Sequence, residues 1–377
     1  MKKYWLQVVA LFFAFALVAA ACGDGDSDSA SDSEQSEQTE EADPLVAAAK
    51  AAVLEYEAAG LNRDNLPTSS PTPEPGKLIG IIPCLEASAC GFFADISQEA
   101  AEAAGWEVLR IDGKGNAADQ ANAVRQMIAA GVDGIVLHVV PPEAIPEAIK
   151  QGKEAGIVFV GFAVIDPDNL IDHRLPSVEQ WTKNGEMAGD YIIAETDGKA
   201  KVLAFVSGDL PNNFLIDDEV IRRLEACRDC EVIVREEFLL TDLQTRNPEA
   251  IASAARAHPE ADVVYVAFDA ALFFAIPELE KLNRGAGLFA VAHDANPENQ
   301  ELIRTGRVHR ASTTYDYALA GWEAIDAMNR IFAGEDPMDS RAMGTTLRLI
   351  TPNNVPDEGV PVYGLDYLEY YTSLWGN

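Results

Sequence analysis

The chain has 377 residues, 48% of them hydrophobic and 24% charged, too long for one ordinary domain and ample for two lobes with buried cores. Lys and Arg number 28 against 61 Asp and Glu, a formal charge of -33. Nucleic acid is excluded as a partner, because a polyphosphate is repelled at every approach, and an anionic membrane surface is no more attractive.

Lys2 and Lys3 precede an apolar run from Trp5 to Ala21 that only Gln7 interrupts. Residues 1–22 read as a signal peptide. A transmembrane helix, the rival reading, wants about 20 apolar residues and anchors on both flanks; this run is short and ends in small residues. Ala19, Ala20 and Ala21 before Cys22 resemble the lipoprotein cleavage box, with Ala19 where leucine is usual. Cys22 is therefore expected to carry lipid and to hold the protein at the outer face of the cytoplasmic membrane or in the periplasm.

Residues 23–76 read as an acidic spacer, a short helix and a linker. Asp24 to Asp43 carries nine acidic residues and no basic one, and such a stretch buries too little apolar surface to fold. Asp24, Asp26 and Asp28 imitate the start of a calcium loop, but Ser29 and Gln35 stand where glycine and glutamate are required, so no metal is expected. Asp43 and Pro44 cap an Ala-rich helix to Ala59, and Pro67 to Gly76 is a linker.

From Lys77 apolar runs alternate with amphipathic segments. Strands at Leu78–Pro83, Glu107–Ile111, Gly134–Val140 and Ile157–Phe162 enclose helices at Phe92–Ala104, Asn116–Ala130 and Pro142–Ala155. A second series has strands at Lys201–Ser207, Glu231–Leu239, Val263–Ala267, Leu288–His293 and Val308–Thr313. Its helices fall at Val178–Glu195, Ile216–Ala226, Pro248–Ala257, Ala271–Leu282 and Pro297–Thr305, before a long helix Tyr317–Phe332, a strand Thr346–Thr351 and an aromatic tail. Buried strands between helices predict an α/β fold of two doubly wound parallel-sheet lobes, with ligand beyond the carboxyl ends of the strands.

Gly113, Gly115 and Ala118 approach a dinucleotide fingerprint with one residue too many, and Asn116 as a helix cap accounts for them better. No nucleophile elbow, zinc-protease motif or phosphate loop occurs, so neither enzyme activity nor a cofactor is expected. Cys84 with Cys90 and Cys227 with Cys230 form two local pairs that suit short disulfides in an exported protein. A redox or zinc site is the weaker alternative, the pairs being far apart with no accompanying histidine run. At strand ends stand Phe92, Phe93, His138 and Phe162, and on second-lobe loops Asp218, Asp242, Asp269 and Asp294. Aromatic faces beside carboxylates suit a sugar, which offers an apolar face and a hydroxyl rim. Each also has a plainer reading, Phe as core and Asp as helix cap.

Gly91-Phe92-Phe93, the segment Ala130 to Val136, and Lys183 to Ile192 together resemble the type I periplasmic binding proteins of the ribose and galactose class, from Leu78 to about Thr351. The resemblance implies a three-stranded hinge, crossed near Val164, Tyr315 and Thr346. Residues 77–163 with 316–345 would then make the first lobe, and 164–315 with 346–377 the second. It places Asp294 of Ala292-His293-Asp294 on the family's sugar-binding aspartate, and Tyr315 near its hinge glutamine. Ala163 and Val164 replace an Asp-Arg pair, an arginine is missing near Asp218, and Phe268 replaces an asparagine, which puts ribose in doubt. The implied function is a monomeric receptor that delivers a small polar solute, expected to be a sugar, to the permease subunits of an ABC transporter. A receptor for a signalling partner and a secreted α/β enzyme are the alternatives; the repressors that share this fold drop out, because a signal peptide stands where their DNA-binding segment would be.

Overall fold

The computed structural model describes residues 43–61, 63–338, 347–358, 360 and 362–376. The apolar run, Cys22, the acidic stretch before Asp43 and the expected crossing at Thr346 lie outside the described residues.

The first sheet contains β1 (Leu78–Pro83), β2 (Glu107–Arg110), β3 (Gly134–His138), β4 (Val158–Phe162) and β5 (His173–Leu175), all parallel in the order β2-β1-β3-β4-β5. Its helices pack in pairs, α2 (Ala89–Ala103) with α10 (Tyr317–Phe332) and α3 (Ala117–Ala130) with α4 (Pro146–Glu154). Strands covered on both sides cannot alternate polar and apolar residues, so β1, β3 and β4 are nearly continuous hydrophobic runs.

The second sheet contains β6 (Lys201–Ser207), β7 (Glu231–Phe238), β8 (Val263–Val266), β9 (Phe289–His293), β10 (His309–Tyr315) and β11 (Leu347–Ile350). Its order is β11-β10-β9-β8-β6-β7, parallel except where β11 runs against β10. Here α5 (Val178–Glu195) pairs with α6 (Pro211–Ala226), and α7 (Arg246–Ala257) with α8 (Asp269–Lys281), while α9 (Pro297–Thr305) packs on β10. Both sheets reverse direction beside their first strand, in β2-β1-β3 and β7-β6-β8, and such switch points place ligands at the carboxyl ends.

Lobe boundaries read from the sequence need correction at several places. β5 pairs with β4, His173 opposite Val160 and Leu175 opposite Phe162, so the chain leaves the first lobe at Pro176 and Ser177, not near Val164. The aromatic tail is not part of the second lobe: it folds as α11 (Tyr367–Trp375), which buries Tyr371 and Trp375 against Trp322 of α10. At the other end the expected Ala-rich helix forms as α1 (Pro44–Ala58), capped by Asp43, and buries Ala49 and Val53 against α5 and β11 of the second lobe. The Pro-rich linker is likewise fixed. Asn329 Nδ2 donates to the Pro71 carbonyl at 2.6 Å, Tyr370 to that of Pro67 at 2.6 Å, and the Trp106 indole to that of Glu74 at 2.9 Å.

The turn after β1 shows why Gly91 precedes the two phenylalanines. Disulfide Cys84–Cys90 closes the turn, Ser88 caps α2 by accepting from the Cys90 amide at 3.2 Å, and a Cβ on Gly91 would lie 2.2 Å from the Glu86 carbonyl oxygen. Cys227 and Cys230 form the second disulfide, between α6 and β7. Asn116 caps α3 through the Asp119 amide at 3.0 Å, which explains the glycines around it without a nucleotide.

The C-terminal helix gives a direct test of the revised lobe assignment. Trp375 is fully buried and its indole donates to Asp326 at 2.9 Å. Trp375→Ala is expected to lower unfolding free energy by about 3–5 kcal/mol in urea titrations. A loss below about 1 kcal/mol would mean that the helix is not docked.

Candidate functional site

The carboxyl ends of both sheets face a cleft between the lobes. The first lobe contributes the Cys84–Cys90 disulfide, Phe93, and the residues that follow β3 and β4, Val139 and Ala163. The second contributes Trp181 from α5, Asn212 and Asn213 from the start of α6, Phe268 after β8 and Asp294 after β9. Tyr317, at the junction where β10 passes the chain to α10, completes the wall. The cavity in the cleft measures about 30 Å³, far below the ~300 Å³ or more of a typical small-molecule site, so a sugar-sized solute enters only as the lobes part.

Three residues immediately after strands are held in the left-handed region without being glycine: Val139 (φ 56°), Ala163 (φ 55°) and Asp294 (φ 116°). Each costs on the order of 1–3 kcal/mol and persists only where surrounding contacts fix it. For Asp294 those contacts are explicit. Its amide donates to the Thr313 carbonyl at 2.8 Å and its carbonyl accepts from the Thr314 hydroxyl at 2.7 Å. The next two amides, of Ala295 and Asn296, donate to Ser312 Oγ at 2.9 Å and Asp269 Oδ2 at 3.1 Å. β10 and the start of α8 thus hold the backbone that aims Asp294.

The carboxylate ends a hydrogen-bonded chain. Tyr317 donates to Asp294 Oδ1 at 2.6 Å, His293 Nε2 lies 2.8 Å from the same hydroxyl, and Thr313 Oγ1 lies 3.1 Å from His293 Nδ1. Burial holds His293 down to about 3, so the ring is neutral. A neutral imidazole has one donor and one acceptor. One ring nitrogen of His293 therefore donates and the other accepts, linking Tyr317 to Thr313. Asp294 Oδ2 takes no protein donor among the described residues, and the Trp181 indole N–H, buried at the same cleft, has no acceptor.

Aromatic rings run across the lobe junction: Trp181 meets Tyr315 at 5.2 Å, Tyr315 meets Tyr317 at 4.0 Å, Tyr317 stacks on Phe93 at 4.3 Å, and Phe93 meets Phe162 at 5.2 Å. Of the residues singled out in the sequence, Phe93 and Asp294 stand on the cleft wall, and Tyr315 sits behind it at the junction. Phe92, half-exposed, lines a neighbouring pocket instead. Phe162 and His138 are fully buried in contact with each other, and burial holds His138 down to about 3, with neither ring nitrogen hydrogen-bonded among the described residues.

Three of the acids do not reach the cleft. Asp218 is on the exposed side of α6, paired with Arg235 at 3.1 Å, because one residue along a helix rotates a side chain by about 100°. Its neighbour Asp217 is the buried one, accepting from Tyr265 at 2.6 Å and the Ser207 amide at 2.8 Å, and burial pushes it up to about 7. Asp242 pairs with Arg246 at 3.5 Å. Asp269 is fully buried, accepts from Ser312 at 2.8 Å, and supports the loop carrying Asp294. Asp294 is no helix cap, since that position belongs to Asn296.

The chain belongs to the periplasmic binding protein family: the family's domain model matches residues 92–336, more than half of its length. The family is extracytoplasmic, and among the described residues no helix is long and apolar enough to cross a membrane. Solved structures share the fold at low identity. The 5-methylthioribose transporter solute binding protein of Thermotoga lettingae aligns with TM-score 0.68 at 17% identity, over 82% of this chain and 99% of that one. A solute binding protein of Bacillus halodurans with bound myo-inositol gives 0.65 at 16% identity, over 82% and 100%. A galactofuranose binding protein gives 0.63 at 19%, over 80% and 100%. No curated protein matches the sequence.

Burial, opposed in part by the Tyr317 hydrogen bond, pushes Asp294 up to about 7. A carboxyl so raised binds more protons folded than unfolded between 3.8 and about 7, so its stabilising contribution is present below 3.8 and is lost as pH rises through about 7. His293 acts in the opposite sense between about 3 and 6.5. The carboxyl is therefore isolated by comparing wild type with Asp294→Asn, whose stability difference should shift by up to ~4 kcal/mol against wild type from pH 4 to 7 and stay flat above. Parallel pH profiles of the two proteins in urea unfolding would contradict the assignment.

Proposed function

We propose that this protein is an extracytoplasmic receptor that captures a neutral sugar or polyol between its lobes and passes it to the permease of an ABC importer. The observation that carries the reading is Asp294, fixed by β10 and α8, with one oxygen engaged by Tyr317 and the other unengaged at a cleft walled by Phe93, Trp181 and Phe268. A carboxylate accepts from hydroxyls, Trp181 and the two asparagines offer further polar contacts, and the rings pack on the apolar face of a sugar. Among the described residues no lysine or arginine lines the cleft, so an anionic solute such as a sugar phosphate would meet only like charge there. Neighbours of the same fold bear names that include 5-methylthioribose, myo-inositol and galactofuranose, in keeping with such a ligand. Binding without turnover, a monomeric state and a tether through acylated Cys22 complete the reading.

Mass spectrometry of small molecules released from the purified protein identifies the solute, and calorimetric titration then tests the site. Charge-assisted hydrogen bonds contribute about 1.5–3 kcal/mol each. Asp294→Ala should weaken binding by roughly a hundredfold at 1.4 kcal/mol per factor of ten, whereas Asp218→Ala should leave it unchanged. Because the solute favours the ionised carboxylate, wild-type affinity should rise with pH up to about 7 and then level. Intact affinity in Asp294→Ala with a lowered melting temperature would reduce the residue to a structural role.

The tether is tested separately by labelling cells with a palmitate analogue. Wild type should incorporate label and Cys22→Ala should not; equal incorporation would leave the N-terminal stretch an ordinary secreted tail.

A further inference from the structure

Beside the cleft lies a second cavity of about 320 Å³, with Asp294 and Tyr317 as the wall between them. Phe92 and Ile96 of α2 form one side, Ala318 and Tyr315 the junction side, and Val362 and Tyr367 the outer side. Three of the polar side chains here are already engaged within the protein, while the buried Tyr315 hydroxyl has no partner among the described residues. Gln300 donates to the Ala295 carbonyl at 2.7 Å, Thr314 to that of Asp294 at 2.7 Å, and Asp316 accepts from the Leu319 amide at 2.9 Å and from Tyr367. Apart from that hydroxyl and the Asp294 carboxylate, most of the remaining surface is aromatic and aliphatic. At its mouth two large apolar side chains are left to solvent, Phe92 at 38% and Val360 at 49% exposure.

Apolar cavities of roughly 150 Å³ already bind benzene, so this one has room for a ring or a short alkyl chain. Its outer wall, Val360, Val362, Tyr363 and Tyr367, lies beyond the residues 92–336 that the family model matches. We propose that this annex takes an aromatic or alkyl substituent on the sugar or polyol whose hydroxyls Asp294 holds. The ligand is then a substituted sugar, its polar part in the cleft and its apolar part in the annex. This rests on the sugar reading above.

The test uses the full chain and three matched pairs, D-galactose, D-glucose and D-ribose, each beside its phenyl β-glycoside. Benzyl alcohol serves as a probe of the annex alone, followed by saturation-transfer NMR. At least one phenyl glycoside should bind ten times tighter or more than its parent sugar in calorimetry. Ala318→Phe, which fills the annex, should abolish that gain and the benzyl alcohol signal while changing the parent sugar's affinity less than twofold. Asn213→Ala, at the cleft only, should weaken the sugar and leave benzyl alcohol bound. Should Ala318→Phe melt early, Phe92→Ala at its half-exposed position is read instead and should cut the gain several-fold. Benzyl alcohol binding with no sugar or glycoside binding would sink the sugar reading and leave the annex an apolar site. Phenyl glycosides no tighter than their parents, a gain that survives Ala318→Phe, or no benzyl alcohol binding would overturn the annex.

Discussion

Tyr317 opens a helix of the first lobe, and its hydroxyl donates to a carboxylate at the end of a strand in the second. Because that bond crosses the junction, both lobes must hold their ends of it in register. The second lobe does so with Ser312, Thr314 and Asp269, each spending a polar group on the backbone around Asp294. The first does so with Asp316, which caps α10, and with the stack of Phe93 on Tyr317. Buried carboxylates are costly unless paired, and here the pairing is incomplete by one oxygen. That residual demand for donors is what a hydroxylated solute satisfies.

Strands buried on two sides leave long apolar runs, so the two-sheet architecture was legible in the sequence. β5 was not: His173, Arg174 and Leu175 carry no hydrophobic pattern, and only pairing with β4 makes them a strand. α11 did carry a signal, since Tyr367, Tyr371 and Trp375 recur every fourth residue and are the positions buried in that helix. In α6 the buried positions Asn213, Ile216, Val220 and Leu224 set a phase that includes Asp217 and excludes Asp218. Asp294 was readable from its place after an apolar strand. Trp181 and Tyr317 were not, because nothing local brings residues so far apart in sequence to one cleft.

Acidic residues also show how little residue type alone says about role. Asp218 and Asp242 form ion pairs with nearby arginines that are themselves exposed, and such pairs contribute little to stability. Asp269, fully buried, contributes by aiming another residue. Burial raises Asp217 and Asp294 alike to about 7, yet only Asp294 stands at the cleft.

Between the lobes the chain makes connections of two lengths. At Pro176–Ser177 and at Asp316 one or two residues join elements of different lobes, whereas α1 and β1, and likewise β11 and α11, belong to different lobes and are separated by much longer stretches of sequence. The short links act as pivots. The long ones act as leashes: α1 is moored to one lobe and its continuation to the other through Pro67, Pro71 and Glu74. A leash has no effect on small rotations and limits only those larger than its own length allows. How far the jaws of this molecule can gape is therefore set by the length of chain between the moorings.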